Sequence, residues 1–326
     1  MSISFDEWMP LLKEEYLDTF IAAGGAAVKF LVIGDEGRRV VSQEVRLAAA
    51  DYVVAEVDGK RTKIHMIDKL FHEIARQIDW DDLAYRFVRR LFIENKYDLP
   101  DSKKEFDLAI IAELNLAEPK LLQKTLNGWL TERIFRDFQM SQEFRTAMMR
   151  LCLAQTGSHD ATPFLADSVK DWLCGRLQLV SAVKEALIFQ KINRHNARNV
   201  LLSLAHWLRK AGMKGLVLLL DVSQYMNTSR PAKGSTEDLH YSVPSTIDAY
   251  EVLRQFIDAT DELEGVLIVV LTPENFAVPD EKRGVRLYDA LRLRISNEVR
   301  DKDRENPFAP LVRLHIGAAP ESEEAH

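Results

Sequence analysis

Lys214-Gly215-Leu216-Val217-Leu218-Leu219-Leu220-Asp221-Val222 is an apolar run that opens after a glycine and closes on an acid. Its character is continuous rather than alternating, which predicts a strand buried on both faces, as in a parallel sheet. Such a strand delivers Asp221 to the C-terminal edge, where open α/β sheets bind their ligands. A carboxylate at that edge can hold the water shell of a Mg²⁺ ion beside a nucleotide. The residue after it is Val222, which can neither bind a metal nor polarise a water.

Working outward, residues 26–33 (AAVKFLVI) form a second apolar run halted by Gly34, and residues 52–57 (YVVAEV) a third, halted by Asp58-Gly59. Residues 266–271 (VLIVVL) and 311–316 complete five expected strands. Helical periodicity falls on residues 5–20, 40–50 and 246–260, and almost throughout 64–211, where Leu99-Pro100-Asp101, Glu118-Pro119 and the 157–163 turn interrupt it. Strands separated by helices predict right-handed parallel crossovers. The expectation is a doubly wound, parallel, five-stranded α/β sheet interrupted by a long helical insertion. The division is 1–63 for the first half of the sheet, 64–211 for the insertion, 212–318 for the second half, and 319–326 for an acidic tail. Residues 225–244, rich in Ser, Thr, Gly, Pro and charge, read as a long loop.

The 43 basic and 50 acidic residues leave a net charge of −7, so no global electrostatic footprint for nucleic acid exists. Cys152 and Cys174 are too few for a disulfide framework and too far apart for a zinc knuckle, which suggests a reducing compartment. No segment reaches the ~18 consecutive apolar residues of a membrane helix. A cytoplasmic protein with no membrane contact is expected.

Where the first long strand ends, the chain reads Gly34-Asp35-Glu36-Gly37-Arg38-Arg39-Val40-Val41. A phosphate-binding loop needs glycines so that backbone N–H groups can wrap the phosphates, a lysine to reach the β and γ oxygens, and a Ser or Thr on Mg²⁺. The outer glycines fit that frame, whereas the lysine position holds Val40 and the hydroxyl position Val41. Asp35 and Glu36 also stand where a phosphate would lie, with Arg38 and Arg39 as partial compensation. Taken alone, the segment is an ordinary strand-to-helix turn.

The order of blocks adds a resemblance. FIAAGGAAVKFLVIGDEG, VVAEVD, DWLCGR, LLSLAHWLRKAGMKGLVLLLD, AYEVLRQFID, LTPENF and RGVRLYDALRLRI occur in the order found in the ATP-binding proteins of bacteriophage-exclusion (BREX) defence systems, and the chain resembles that family from Phe20 through Ile295. The resemblance implies an AAA+-like P-loop NTPase sheet. It implies that Asp221 is the metal-side acid, Thr272 the polar sensor on the fourth strand, and Arg294 an arginine offered to the nucleotide of a neighbouring subunit. It also exposes departures: Val40 and Val41 replace the lysine and hydroxyl, Val222 replaces the catalytic glutamate, and the chain ends about ten residues after its fifth strand, with little or no C-terminal lid. Charge-assisted phosphate contacts are worth about 1.5–3 kcal/mol each, so losing several together argues against hydrolysis.

Other candidates are weaker. His72-Glu73 matches the start of a zinc-protease helix, but Arg76 stands where the second imidazole belongs. Asp79, Asp81 and Asp82 read as a solvated helix start. No G-x-S-x-G elbow and no Cys–His pairing supports covalent catalysis. Arg86, Arg89 and Arg90 share one helical face, either solvated or in contact with nucleic acid or a partner.

The expected function is a non-hydrolysing pseudo-ATPase that scaffolds or regulates a bacterial phage-defence complex. No catalytic residue, metal or cofactor is expected, and the partners are other defence proteins, an active ATPase paralogue or a second copy of the chain. Two alternatives stay open. One is an unorthodox ATPase that binds ATP and Mg²⁺ through Arg38 or Arg39 and Asp221; the other is a DNA-associated adaptor.

Overall fold

The computed structural model describes residues 2–157, 163–228, 238–278, 282–296 and 305–317. The acidic tail, most of the 157–163 turn and the middle of the 225–244 loop lie outside the described residues. The chain divides into two units, one formed by Met1–Leu70 with Lys214–His326 and the other by Phe71–Met213.

The first unit is built on six parallel strands: β1 (Ile3–Ser4), β2 (Ala26–Val32), β3 (Val53–Asp58), β4 (Leu216–Asp221), β5 (Val266–Thr272) and β6 (Leu311–His315). Their order across the sheet is β1-β6-β2-β5-β4-β3. The expected five strands are therefore corrected to six. Ile3 and Ser4 are too short a run to carry any periodicity, and they are a strand only because they pair with Leu314 and His315.

Helices cover both faces of this sheet. On one face Leu31, Val217, Leu219, Leu267, Val269 and Val312 pack with Trp8 and Leu12 of the N-terminal helical segment and with Val41 and Val45 of the helix Asp35–Ala48. On the other, Phe30 stacks on Phe276 at 6.2 Å, and Tyr250 of the helix Val243–Asp258 meets Phe276 edge-on at 5.8 Å. Alternate residues of β2 thus serve opposite layers, which explains why its sequence is apolar without a break. Fully burying each such side chain contributes about 1.5–3 kcal/mol.

Two helix starts differ from expectation. The helix after β2 begins at Asp35, not at residue 40, because Gly34 is extended and its carbonyl already accepts the Arg38 amide at 3.1 Å. Asp35 and Glu36 then lie in the first turn, where carboxylates complement the helix dipole. The helix Val243–Asp258 begins inside the stretch read as a loop, with Ser242 accepting the Ser245 amide and Pro244 in the first turn, where its missing N–H costs nothing. A four-residue helical turn, Ser223–Met226, also interrupts that stretch.

The second unit is helical among its described residues, with Trp80–Glu94, Leu108–Leu114, Pro119–Leu130, Gln142–Ala154, Pro163–Leu173 and Ala197–Lys210 as its main helices. Asp79 caps the first of these by accepting the Asp82 amide at 2.9 Å. Phe87, Phe92, Phe144, Trp172 and Trp207 fill its core. Cys152 and Cys174 are buried free thiols, and burial pushes both up from the usual thiol range.

Candidate functional site

β3 and β4 each end on an aspartate, and their register sets Asp58 beside Asp221. Two carboxylates on adjacent strand ends repel unless a cation answers them. Arg38 answers, from the first turn of the helix Asp35–Ala48, with Nε 3.2 Å from Asp221 Oδ2. The same guanidinium donates through Nη2 to Asp35 Oδ1 at 2.6 Å and through Nη1 to the Ile33 carbonyl at 3.4 Å. Arg38 is only 8% exposed, and the planar fork of a guanidinium is suited to such divided contacts. Asp221 Oδ1 accepts the Ser223 amide at 2.8 Å, so both of its oxygens are engaged.

Asp58 accepts the Lys60 amide at 2.7 Å. Burial pushes its carboxyl above the usual carboxylate range; the Lys60 amide works against that shift and the charge of Asp221 adds to it. A carboxyl raised in the folded state favours folding only while it is protonated, so its contribution is present below the unfolded pKa and is lost as pH rises through the folded value. Asp58→Asn should therefore gain on the wild type in melting temperature as pH rises from acid toward neutral. A difference between the two proteins that does not change with pH would rule this out.

A cleft of about 370 Å³ opens beside these groups, lined by Asp35, Arg38, Lys60, Ser223, Asn227 and Asn275 among others. The chain after β4 forms one wall, and it is held by Arg283. This buried guanidinium donates from Nη1 to the carbonyls of Asn227 at 3.0 Å and Tyr241 at 2.9 Å. Tyr225 and Tyr241 stack at 3.8 Å, the Tyr225 hydroxyl lies 3.0 Å from His65 Nδ1, and the Leu239 amide donates to the Lys60 carbonyl. Burial pushes the Tyr225 hydroxyl up to about 12, so it stays protonated.

Of the residues singled out in the sequence, the structure brings Asp35, Arg38 and Asp221 together. Glu36 and Arg39 are exposed and do not line the cleft. Gly37 sits inside the helix, where an added Cβ would lie 2.5 Å from the Ile33 side chain, so its smallness serves helix-on-strand packing. Gly34 faces Glu274, whose Oε1 would lie 3.3 Å from an added Cβ. Val40 lines a groove with Phe5, Met9, Leu47 and Ile316, while Val41 is fully buried in the core. Thr272 is fully buried, its hydroxyl donating to the Leu31 carbonyl at 2.9 Å. Arg294 donates to Asp258 of its own chain at 2.9 Å.

Outside the sheet unit, His72 is buried with Nδ1 3.0 Å from the Leu173 carbonyl. Arg86 pairs with Asp82, and Arg90 lies 3.5 Å from Glu94. Sequence reasoning missed Asp58, Lys60, Ser223 and Glu274. For Asp58 the signal was present: like Asp221, it is an acid that ends an apolar strand.

As they stand, these residues do not fit a magnesium-bound triphosphate. A single residue, Gly34, separates Ile33 from the helix, too little backbone to wrap a phosphate with N–H groups. Carboxylates of Asp35 and Glu274 stand at the turn, and Arg38 is already paired with Asp221 Oδ2. What the arrangement does chemically is pair Asp221 with a cation of its own chain, Arg38.

Among the described residues, no group of three or more His, Cys, Asp or Glu comes together as a metal site, and no helix is long and apolar enough to cross a membrane. No curated protein and no solved structure matches the chain. The model of the BREX system ATP-binding protein BrxC/D family matches residues 120–319, a span that includes Asp221, Thr272 and Arg294 but not the turn at residues 34–41. That span is more than half of the chain, and the protein belongs to the BrxC/D family of BREX-system ATP-binding proteins.

Proposed function

We propose that this protein is a non-hydrolysing, AAA+-like pseudo-ATPase that acts as a scaffold or regulatory subunit of a bacterial phage-defence complex. The observation that carries the reading is the Arg38–Asp221 ion pair, an internal cation set against the acid that a nucleotide-bound metal would need. The P-loop-like ancestry draws support from β2, which lies between β5 and β6 and sends its chain across the sheet to the far edge at β3. That places a topological switch point at the C-terminal end of β2, where doubly wound sheets bind nucleotides. Here the switch point carries Gly34, Asp35 and Arg38 in place of a phosphate cradle. The proposed partners are other proteins of the same defence system, and the proposed site of action is the cytoplasm.

The test uses purified protein with ATP and Mg²⁺. The expected result is no turnover above the buffer rate and no saturable binding of a fluorescent ATP analogue. Turnover that disappears in Asp221→Ala would overturn the proposal, as would micromolar analogue binding that depends on Mg²⁺.

A further inference from the structure

Between Glu185 and Asp221 the sequence contains no acid, while Lys191, Arg194, Arg198, Arg209 and Lys210 fall in the helical unit. This asymmetry runs against an overall charge of −7. Lys191, Arg194, His195 and Arg198 are exposed, on a turn and on the first turn of the helix Ala197–Lys210. The turn is tied by its own side chains: the Asn193 amide donates to Asn196 Oδ1 at 2.8 Å, the His195 amide to Asn193 Oδ1 at 2.9 Å, and Asn196 Nδ2 to the Lys191 carbonyl at 3.2 Å. Such a turn presents its charges at little ordering cost on binding.

Exposed aromatic rings occur on the same unit as this basic stretch. Phe189, 64% exposed, precedes it by two residues. Phe138, 84% exposed, lies on a segment fastened further along the helix that this stretch opens, by Asp137 Oδ2 to His206 Nε2 at 2.9 Å and by the Ser141 amide to Ser203 Oγ at 2.8 Å. Gln190 Nε2 donates to Glu143 Oε1 at 2.8 Å, which joins the two sides into one surface. The acids among these contacts are Glu143, bonded to Gln190, and Asp137, which answers His206 and Lys210.

The ring of Phe138 is not loose. The guanidinium of Arg145 lies 4.7 Å from its centroid and is itself anchored by Nη1 on the Phe135 carbonyl at 2.6 Å. A cation on one face fixes the ring and leaves the other face to solvent. Fixed, exposed aromatic faces beside a basic track are how proteins hold single-stranded nucleic acid, the rings stacking on bases and the cations following the phosphates. Lys191 Nζ donates to the Gln178 carbonyl at 2.9 Å and Arg194 Nε to His195 Nε2 at 3.2 Å, both neutral acceptors, so a purely apolar partner would offer these two cations no counter-charge, and an acidic peptide would leave the ring face unused.

We infer that this surface of the helical unit, Phe138 and Phe189 with Lys191, Arg194, His195 and Arg198, binds single-stranded polynucleotide.

The experiment is fluorescence anisotropy of the full chain with labelled oligothymidylate and oligouridylate of about 15 nucleotides, near the upper site size of such surfaces. Affinity should fall with salt, and the tighter of the two arms identifies DNA or RNA as the source. Phe138→Ala should weaken binding about tenfold, since stacking is worth about 1–3 kcal/mol per base, and should leave the salt dependence unchanged. Lys191→Ala with Arg194→Ala should reduce the slope of log affinity against log salt by about 1.4, at about 0.7 per phosphate contact. Circular-dichroism melts of both variants guard against unfolding, and all three substituted side chains are exposed. No salt-dependent binding, equal affinity for a duplex of the same length, equal competition by polyglutamate, or wild-type affinity in Phe138→Ala would each overturn the inference.

Discussion

Arg38→Ala is expected to destabilise the sheet unit by about 3 kcal/mol, the lower end of the range for breaking a buried ion pair by removing one partner. The lower end applies because Asp221 keeps 21% of its side-chain surface, so water can partly replace the lost cation. The loss has two parts. Asp221 would stand beside Asp58 with no guanidinium between them and solvent, and the Ile33 carbonyl would lose its Nη1 neighbour. Asp221→Asn should cost less, since Arg38 would keep Asp35. In a double-mutant cycle, Arg38→Ala with Asp221→Ala should cost less than the two single changes added, because the pair acts as one unit. Arg38→Lys should lie between, keeping charge without the fork. Urea denaturation measures all five variants, and an Arg38→Ala midpoint indistinguishable from wild type would show that the pair holds nothing together.

A larger effect is expected at Gly215. Its φ is 153°, and an added Cβ would lie 1.8 Å from the Gly265 carbonyl oxygen and 2.8 Å from the carbonyl carbon. Both are backbone atoms at the entrance to β4 and β5. The Leu216 amide donates to that same Gly265 oxygen, and the Gly215 carbonyl accepts from Val53 at the start of β3. Neither strand can retreat without breaking the first rung of the ladder. Backbone strain of about 1–3 kcal/mol combines with overpacking of similar size, giving about 4 kcal/mol for Gly215→Ala. Gly128→Ala is the internal control: it lies in the helix Pro119–Leu130 with nothing within 4 Å of an added Cβ, and should stabilise by up to about 1 kcal/mol. Thermal melts of the two variants that shift by the same amount would contradict the geometric argument.

The central strands were legible because their chemistry is local. β4 and β5 are apolar runs bounded by Gly215, Asp221, Gly265 and Thr272, and the structure ends them within a residue of the sequence reading. β1 was illegible, since two residues become a strand only through a partner more than 300 positions away. The helix start at Asp35 was missed for a different reason. Counting positions against a phosphate loop supposes several residues of loop, whereas one extended glycine makes the turn and the lysine position falls on Val40, facing a groove elsewhere. Arg38 and Arg39 are indistinguishable by type, and only the 100° step between neighbours on a helix sends one inward and the other to solvent. The partnership of Asp58 with Asp221 needed strand order, which no single-sequence pattern contains.

That strand order also has a consequence for how the molecule is made. β2 leaves the ribosome well over 200 residues ahead of both of its neighbours, β5 and β6. Until residues 266–315 have been synthesised, a seven-residue apolar strand has no native pairing on either side. The helical unit, whose contacts are closer in sequence, can fold meanwhile. The emerging chain should therefore depend on chaperones late in synthesis, and truncations that stop before β5 should aggregate rather than yield half a sheet.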